Sequence, residues 1–367
     1  LLVDPYFSAT KIKWILDNVS GVREKAIKRQ ILAGTVETWI IWNLTGWNIH
    51  ATDVTNASRT MLFNIRKMEW DAGLAGLFDI PSGILPEVVS CSEPAGFTNA
   101  AIFGHEIPIT GIAGDQQAAL FGHTCFEPGD IKNTYGTGCF ILMNAGYEVP
   151  VPESGMLATV GWKIRNEVVY ATEGSVFIAG AAVKWLRDSL GIIETVAESE
   201  ILARSIESND GVYVVPAFSG LGAPYWNPDA RGAIIGMTQG TTSAHIVRAT
   251  LEAIAYQSKD VILAMQKDTG IGGGTLFADG GAAANDFLMQ FQADMLSMTI
   301  NRPRNIECTA TGAAYLAGLT IGAWDMQRLK EIHLADRIFV PDMPPSEVEK
   351  NYAGWKNAVQ SVIQSTP

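Results

Sequence analysis

The most informative segment of the sequence reads Gly111-Ile112-Ala113-Gly114-Asp115-Gln116-Gln117-Ala118-Ala119. The apolar run from Ile109 to Ala113 predicts a strand, and the residues from Gln116 toward Phe121 predict a helix. Asp115 would then lie at a strand-to-helix turn, at the end of the sheet where open α/β folds usually bind ligands. Its carboxylate can accept a hydroxyl proton, but an aspartate at this position can equally cap the helix.

Outward from this segment, helical patterns alternate with short β-branched or aromatic runs bounded by glycine, which predicts an α/β fold. The length of 367 residues and the 47% hydrophobic content favour two domains with a cleft between them. The texture changes after Phe126, so we predict one domain over residues 1–126 and a second over 127–367. The second domain opens with four predicted strands: Ile131 to Tyr135, Cys139 to Asn144, Met156 to Trp162 and Val168 to Thr172.

Hydrophobic periodicity predicts further elements on both sides. The predicted helices are Ser8 to Val19 with Ser8 as the cap, Val36 to Leu44, Val176 to Leu190, Glu198 to Ile206, His245 to Met265 and Asn285 to Met298. A strand is predicted from Thr275 to Ala278. It runs into Asp279-Gly280-Gly281-Ala282, a second glycine-rich turn that leads from a strand into a helix.

Two glycine-containing loops could hold phosphate. Gly136-Thr137-Gly138 lies between two predicted strands, and its small residues let backbone N–H groups and the Thr137 hydroxyl approach phosphate oxygens. The same sequence also satisfies an ordinary hairpin turn. The turn at Gly280 and Gly281 suits a nucleotide lying against a helix N-terminus. A third close backbone approach is possible before Gly180, although that glycine could equally serve helix packing.

Composition excludes several function classes. The net charge of −12 opposes non-specific binding to nucleic acid, and no apolar stretch approaches the ~20 residues needed to cross a bilayer. The four cysteines are scattered and form no disulfide framework or C-x-x-C pair, which suits a reducing cytoplasm. The five histidines show no zinc-binding spacing, so no metal site built by the protein is expected.

Taken together, these segments resemble the FGGY family of carbohydrate kinases, and within it the glycerol kinases, in the actin-like ATPase superfamily. The resemblance runs through nearly the whole chain. It is carried by Asp4 to Ser8, Asn56 to Asn64, Gly111 to Ala119, Asn133 to Phe140, Val214 to Phe218, Gly220 to Trp226, Ala230 to Ala233 and Asp279 to Asn285.

The resemblance implies two ribonuclease-H-like domains around a cleft, and transfer of the ATP γ-phosphate to glycerol to give sn-glycerol 3-phosphate. Asp115 matches the catalytic base, and the other matching glycerol contacts are Tyr6, Gln116 and Phe140. Matching positions around the nucleotide are Gly136, Thr137, Gly180, Lys184, Gly281, Ala282 and Asn285. ATP and ADP are the expected nucleotides, Mg²⁺ is expected from phosphate chemistry, and relatives of this kind form cytoplasmic dimers or tetramers.

Two departures from the family pattern affect these expectations. Lys184 stands where many relatives carry glutamine. Family members also begin with roughly a hundred further residues that carry a phosphate loop and several glycerol contacts, so we expect an incomplete first domain and little turnover by these residues alone. The alternatives that the sequence leaves open are another FGGY kinase, such as a xylulokinase, and a non-catalytic ATP-binding remnant.

Overall fold

The computed structural model describes residues 4–365. Within that range the helices are α1 Ser8–Asn18, α2 Val22–Ile27, α3 Val36–Leu44, α4 Val54–Ala57, α5 Ala72–Leu77, α6 Ala100–Phe103, α7 Asp115–Gly122, α8 Gly180–Asp188, α9 Glu198–Arg204, α10 Ser243–Thr269, α11 Asp286–Leu296, α12 Cys308–Thr320, α13 Met326–Ile332 and α14 Pro345–Gln364. Short 3₁₀ turns span Ser82–Ile84 and Gly281–Ala284.

The strands in the same range are short in the first third of the chain and longer afterwards. They are β1 Ala51–Asp53, β2 Phe63–Asn64, β3 Glu69–Trp70, β4 Glu87–Val89, β5 Gly96–Phe97, β6 Pro108–Ile109, β7 Ile131–Tyr135, β8 Cys139–Gly146, β9 Leu157–Ile164, β10 Glu167–Val176, β11 Tyr213–Val215, β12 Ala233–Ile235, β13 Leu276–Asp279, β14 Ile300–Pro303 and β15 Ala335–Phe339.

One seven-stranded sheet organises the second part of the chain, in the order β15-β14-β13-β7-β8-β10-β9. Its central strands β7 and β13 run parallel, with Thr134 opposite Asp279. Because the carboxyl ends of parallel strands reach the same edge of a sheet, the loop after Tyr135 and the turn after Asp279 lie next to each other. The sheet therefore brings together the two glycine-rich loops that the sequence singled out.

Both faces of this sheet are covered. Ile141 and Met143 of β8 join the core formed with α10 and α11, whereas Leu142 between them joins the core that contains Phe121 of α7. This alternation is the two-residue period of a strand buried on both sides. Helix α7, which begins with Asp115, is thus fixed directly against the sheet.

Two glycines let α7 cross α12 at close range. A Cβ atom on Gly312 would lie 1.8 Å from the backbone oxygen of Ala118, and one on Gly122 would lie 2.0 Å from that of Cys308. No side chain fits in either place, so the backbones of the two helices are in direct contact. The crossing anchors the helix whose first residue is Asp115.

The structure confirms the predicted order of helices and strands and corrects several boundaries. Helix α3 spans the predicted residues, and the predicted strand from Ile131 to Tyr135 is β7. Helix α10 is longer than predicted: it begins after a capping box formed by Thr242 and His245, and it ends at Gly270, which has left-handed backbone angles. Helix α1 begins at Ser8 with Phe7 in the cap position, so the prediction that Ser8 caps this helix is wrong.

The predicted strand from Ile109 to Ala113 is also wrong beyond its first residue. Only Pro108–Ile109 pairs, as β6, and the following residues are extended but lie in no sheet. They pack instead on helix α12: a Cβ on Gly111 would lie 2.4 Å from the backbone nitrogen of Ala317. No helix among residues 4–365 has both the length and the apolarity needed to cross a membrane.

Candidate active site

Asp115 is the first residue of α7 and is exposed. The capping position belongs to Gly114, so the aspartate does not cap the helix. Its carboxylate accepts hydrogen bonds from the backbone N–H of Gln116 at 2.8 Å and from the Gln116 amide at 3.2 Å. Each carboxylate oxygen has further lone pairs. An acceptor with spare capacity at the open end of a helix can receive a hydroxyl hydrogen bond.

A buried network fixes the backbone just before Asp115. The Gly114 N–H donates to the Thr55 hydroxyl at 2.8 Å, and Thr55 in turn donates to the Asp53 carboxylate from its backbone N–H at 2.8 Å and its hydroxyl at 2.5 Å. Asp53 also accepts from the backbone and side-chain amides of Asn56. Burial raises the pKa of Asp53, and these hydrogen bonds counteract that effect.

Lys132 on β7 was not singled out from the sequence. Its side chain is fully buried, and its ammonium donates to the side-chain oxygen of Gln116 and, at 3.2 Å, to the Thr134 hydroxyl. Burial lowers the pKa of Lys132, while the negative charges of Asp279, Glu173 and Asp115 counteract that shift. A lysine in a predicted central strand, next to the apolar Ile131, was the available signal, because a buried cation needs partners.

Tyr6 and Phe140, both predicted glycerol contacts, line one small cavity of about 130 Å³ together with Glu173 and Trp226. Asp115 and Gln116 do not line it. The Arg59 guanidinium lies 2.8 Å from one Glu173 oxygen and 5.2 Å from the centre of the Tyr6 ring. Apolar rings beside a charged pair suit a small polyol, which has carbon faces and hydroxyl groups.

The second carboxylate oxygen of Glu173 gives this cavity a hydrogen-bond acceptor. Glu173 Oε2 is buried and has no hydrogen-bond partner among the described residues. Burial raises the pKa of Glu173, and the positive charges of Arg59 and Lys132 counteract the increase. A buried acceptor without a partner is costly unless a ligand or water satisfies it. Sequence analysis missed this residue because nothing in its strand marks it as exposed to a ligand.

The predicted phosphate loop lies on the N-terminus of α8. Gly180 N–H donates to the Gly136 carbonyl at 3.0 Å, and Ala181 N–H donates to the Thr137 carbonyl at 3.1 Å. A Cβ on Gly180 would lie 2.5 Å from that Gly136 oxygen. Gly180 therefore serves a close backbone approach between the helix and the loop. The Thr137 side chain is exposed and free to meet a ligand.

In the second glycine-rich turn, Gly280 and Gly281 have different surroundings. Gly280 has φ of 86°, and a Cβ there would lie 2.6 Å from the Tyr135 carbonyl oxygen, so the turn itself requires Gly280. A Cβ on Gly281 would meet no described atom within 4 Å. Packing within the protein therefore does not require a glycine at position 281. This is the result expected if Gly281 leaves space for a ligand.

The remaining predicted nucleotide contacts lie close to these turns. Ala282 is half-buried in the 3₁₀ turn, and Lys184 is exposed on α8, one helical turn beyond Gly180. Asn285 caps α11: its side-chain oxygen accepts from Leu288 N–H at 2.9 Å. Its amide group donates to the Ser199 hydroxyl at 3.3 Å. The part of the predicted nucleotide site formed by Gly136, Thr137, Gly180 and Gly281 is thus assembled at one edge of the sheet.

Comparisons with known proteins identify the family to which this chain belongs. The N-terminal domain profile of the FGGY family of carbohydrate kinases matches residues 1–122, and the C-terminal domain profile matches residues 131–321. Glycerol kinase 2 of Thermotoga maritima is 58% identical over 360 residues, which is 98% of this chain and 73% of that protein. Glycerol kinase of Symbiobacterium thermophilum is 56% identical over 98% of this chain and 72% of its own length.

Solved structures show the same fold. Glycerol kinase of Plasmodium falciparum, crystallised with ADP, superposes with a TM-score of 0.94 at 38% identity over 98% of this chain and 72% of that one. A xylulose kinase from Brucella ovis shares the fold with a TM-score of 0.85, at 22% identity over 97% of this chain and 73% of that one. The predicted two-domain kinase fold of the actin-like ATPase type is confirmed, and the chain belongs to the FGGY family of carbohydrate kinases.

Proposed function

We propose that this chain transfers the γ-phosphoryl group of ATP to glycerol, giving sn-glycerol 3-phosphate and ADP. The observation that carries the proposal is the position of Lys132, whose ammonium joins Gln116, beside the proposed base, to Thr134, on the strand that leads into the phosphate loop. Phosphoryl transfer needs an acceptor hydroxyl and a phosphate held in line. One buried cation connects the two halves of such a site.

Each group has a role that its surroundings support. The Asp115 carboxylate orients the attacking hydroxyl and receives its proton, and the amide of Gln116 holds the neighbouring hydroxyl. Tyr6 and Phe140 supply the walls that face the glycerol carbons. In a loose transition state the proton leaves late, so an ordinary carboxylate is basic enough for this task.

The phosphate groups would lie against Gly136 and Thr137, with Gly281 leaving room for the nucleotide. The N-terminus of α8 directs its partial positive charge toward this loop. The Lys132 ammonium adds a full charge within the same buried region. These fixed positive groups would stabilise the negative charge that develops on the transferred phosphoryl group.

ATP would carry Mg²⁺ into the site. The exposed Asp115 carboxylate forms no ion pair with any residue of the described range, which fits a carboxylate that faces a hydrated cation. Mg²⁺ is usually held by one or two carboxylates, waters and phosphate oxygens. When bound, the ion neutralises phosphate charge; orientation of the hydroxyl remains the work of Asp115 and Gln116.

The 58% identity to a glycerol kinase, against 22% to a xylulose kinase, favours glycerol over a ketose. The test is a single-turnover assay with the chain in excess over γ-labelled ATP and Mg²⁺, because a single turnover reports the transfer step itself. Glycerol, xylulose and ribulose are compared, with Asp115→Asn as the inactive reference.

The expected result is label in glycerol 3-phosphate, faster than transfer to either ketose and absent in Asp115→Asn. Faster transfer to xylulose or ribulose would show that the ketose, and not glycerol, is the preferred substrate. ATP binding with no transfer to any acceptor would support the non-catalytic alternative. Unchanged transfer by Asp115→Asn would remove that residue from the mechanism.

The proposal extends to assembly and location. We expect a cytoplasmic dimer or tetramer, in line with the family resemblance, and the four cysteines, all free and buried, suit a reducing compartment. Sedimentation velocity of the purified chain tests the assembly. A monomer at micromolar concentration would contradict this part of the proposal and leave the chemistry untouched.

A further inference from the structure

The fold brings three residues with metal-binding side chains into contact, although they are far apart in the sequence. His123 follows the last residue of α7, Asp279 ends β13, and Cys308 begins α12. One ligand atom from each residue lies within 4.8 Å of the other two, and all three residues are buried. The proposed phosphoryl transfer assigns no task to His123 or Cys308.

The hydrogen bonds prepare this cluster for a metal. His123 Nε2 lies 2.9 Å from Asp279 Oδ2, and His123 Nδ1 lies 3.7 Å from Cys308 Sγ. If Nε2 carries the proton and donates it to Asp279, Nδ1 presents a lone pair toward the thiol. A carboxylate that fixes the tautomer and orientation of a ligating histidine is the usual support of a zinc site.

The distances fit a zinc ion better than the present contact fits a strong hydrogen bond. Zn–N bonds of about 2.0 Å and Zn–S bonds of about 2.3 Å place nitrogen and sulfur about 3.5 Å apart in a tetrahedral site. The observed 3.7 Å between His123 Nδ1 and Cys308 Sγ is close to that separation. A thiolate and a carboxylate would also balance the two charges of the ion, so the occupied cluster would carry no net charge once the Cys308 thiol has released its proton.

Two unsatisfied polar atoms point to the same place. Asp279 Oδ1 and His333 Nε2 are buried and have no hydrogen-bond partner among the described residues. The rings of His333 and His123 lie 6.0 Å apart, centre to centre. Buried polar atoms without partners are uncommon in native proteins and call for an unseen water or ion. His333 Nε2 is therefore available to a ligand or a water beside the cluster, whereas Asp279 supports the site by holding the His123 ring.

A cavity borders this cluster on its Cys308 side. Cys308 and His333 both line a cavity of about 380 Å³ that also includes Gly122 and Leu334. The Cys308 residue and the His333 imidazole therefore lie at the wall through which a metal ion could approach. An entry path is one of the checks that a proposed metal site has to pass, along with ligand type and supporting contacts.

We propose that Cys308, His123 and Asp279, with His333 beside them, form a binding site for Zn²⁺ that joins α7, α12 and β13. The sulfur donor of Cys308 and the nitrogen donor of His123 select a borderline ion such as Zn²⁺ or Co²⁺ over Mg²⁺, which prefers oxygen ligands. The site is separate from the Mg²⁺ that would accompany ATP. The site nevertheless includes Asp279, the residue that directly precedes Gly280 in the glycine-rich turn.

The test uses the full chain, stripped of metal with a chelator and titrated with Co²⁺ while the thiolate-to-cobalt charge-transfer band is recorded. We expect one Co²⁺ per chain with this band, displacement by Zn²⁺, and a higher unfolding temperature in Zn²⁺. Cys308→Ser should abolish the band and weaken Zn²⁺ binding at least about 10-fold, and His333→Asn should weaken it less. His105→Asn, on an exposed loop, is the matched control and should bind as the wild type does.

The Co²⁺ spectrum of the wild type is by itself able to contradict the proposal. The test therefore does not depend on whether a variant folds. Absence of a thiolate band in the wild type would show that Cys308 is not a ligand. Equal Zn²⁺ affinity in the wild type and Cys308→Ser would place any bound ion elsewhere. A band that His105→Asn abolishes would likewise reject this site.

Discussion

The Lys132 ammonium donates a hydrogen bond to the side-chain oxygen of Gln116, which is the residue next to the proposed base. Lys132 is buried in the central strand of the sheet, so its ammonium cannot move without disturbing the core. This contact fixes the direction of the Gln116 amide, whose nitrogen lies 3.2 Å from Asp115 Oδ2. The orientation of the Asp115 carboxylate therefore depends on a residue of the sheet.

Replacing Lys132 with methionine should slow phosphoryl transfer much more than it changes folding. The variant loses a fixed positive charge near the developing phosphate charge, for which a loss of about 10²- to 10³-fold in rate is typical. The free energy of unfolding should fall by about 1–3 kcal/mol, because Gln116 and Thr134 lose their hydrogen-bond donor and the nearby carboxylates lose a positive charge. Single-turnover transfer and urea unfolding measure the two effects.

Lys67→Met is the control for Lys132→Met. Lys67 is exposed, and its ion pair with Glu69 is long, at 3.9 Å. This variant should match the wild type in both assays. If Lys132→Met transferred phosphate within about 3-fold of the wild-type rate, the stabilisation of the transition state by this ammonium would be rejected.

Gly180 and Gly281 should respond differently to the same change, to alanine. A methyl group on Gly180 would lie 2.5 Å from the Gly136 carbonyl oxygen, so Gly180→Ala should cost about 1–3 kcal/mol of folding stability and displace the phosphate loop. A methyl group on Gly281 meets no described atom within 4 Å. Gly281→Ala should fold with stability within about 1 kcal/mol of the wild type.

Nucleotide binding separates the two roles. Because the space above Gly281 is proposed to hold the nucleotide, Gly281→Ala should weaken ADP binding about 10-fold or more although the fold is intact. Calorimetric titration with ADP and thermal unfolding of both variants give the answer. Wild-type ADP affinity in Gly281→Ala would show that this glycine does not face the nucleotide.

The pair Glu173 and Arg59 should give the wild type a specific pH dependence. Burial raises the pKa of Glu173 above its ordinary value of 4.5. At pH values between 4.5 and the higher pKa of Glu173 in the folded protein, the folded protein keeps the Glu173 proton, whereas the unfolded chain has released it. The contribution of Glu173 to the free energy of unfolding is therefore fully present below pH 4.5. It is lost as the pH rises through the pKa that Glu173 has in the folded protein.

Glu173→Gln removes this titration. The stability difference between wild type and Glu173→Gln should favour the wild type most at acid pH and shrink as the pH rises. Urea unfolding at a series of pH values from about 4 to 8 measures it. Glu69→Gln, whose side chain is 62% exposed, controls for the loss of one charge. A difference that grows with pH would contradict the assigned direction.

The sequence predicted the fold class, most elements and the site segments because the information was local. Apolar spacing alone predicted α3 and β7, and glycine positions predicted both glycine-rich turns. The strand before Asp115 could not be predicted correctly, since its apolar residues face helix α12 and not a neighbouring strand. A buried residue shows the same pattern in either case.

Other features depend on contacts between distant segments. Lys132 becomes part of the candidate site only because Gln116, on another element, faces it. His123, Asp279 and Cys308 lie in three separate segments, so their spacing carries no metal signature. Sequence analysis also could not tell that Gly280 serves the turn while Gly281 is left free, because that distinction depends on the nearby Tyr135 backbone.

The crossing of α7 and α12 should be the most sensitive packing point tested by a single methyl group. A Cβ on Gly312 would lie 1.8 Å from the Ala118 carbonyl oxygen and 2.9 Å from Gly122 N, both rigid backbone atoms. Gly312→Ala must therefore push the helices apart, at a cost of about 3 kcal/mol, the upper end for added core atoms. Because α7 carries Asp115, phosphoryl transfer should fall as well.

Gly76→Ala provides the opposite expectation from the same substitution. Gly76 lies in α5 and is exposed, and a Cβ added there would meet no described atom within 4 Å. Alanine there should stabilise the chain by up to about 1 kcal/mol, since it restricts the unfolded chain and favours the helix. Urea unfolding of both variants decides the point: equal stabilities for Gly312→Ala and Gly76→Ala would mean that α7 and α12 are not in backbone contact.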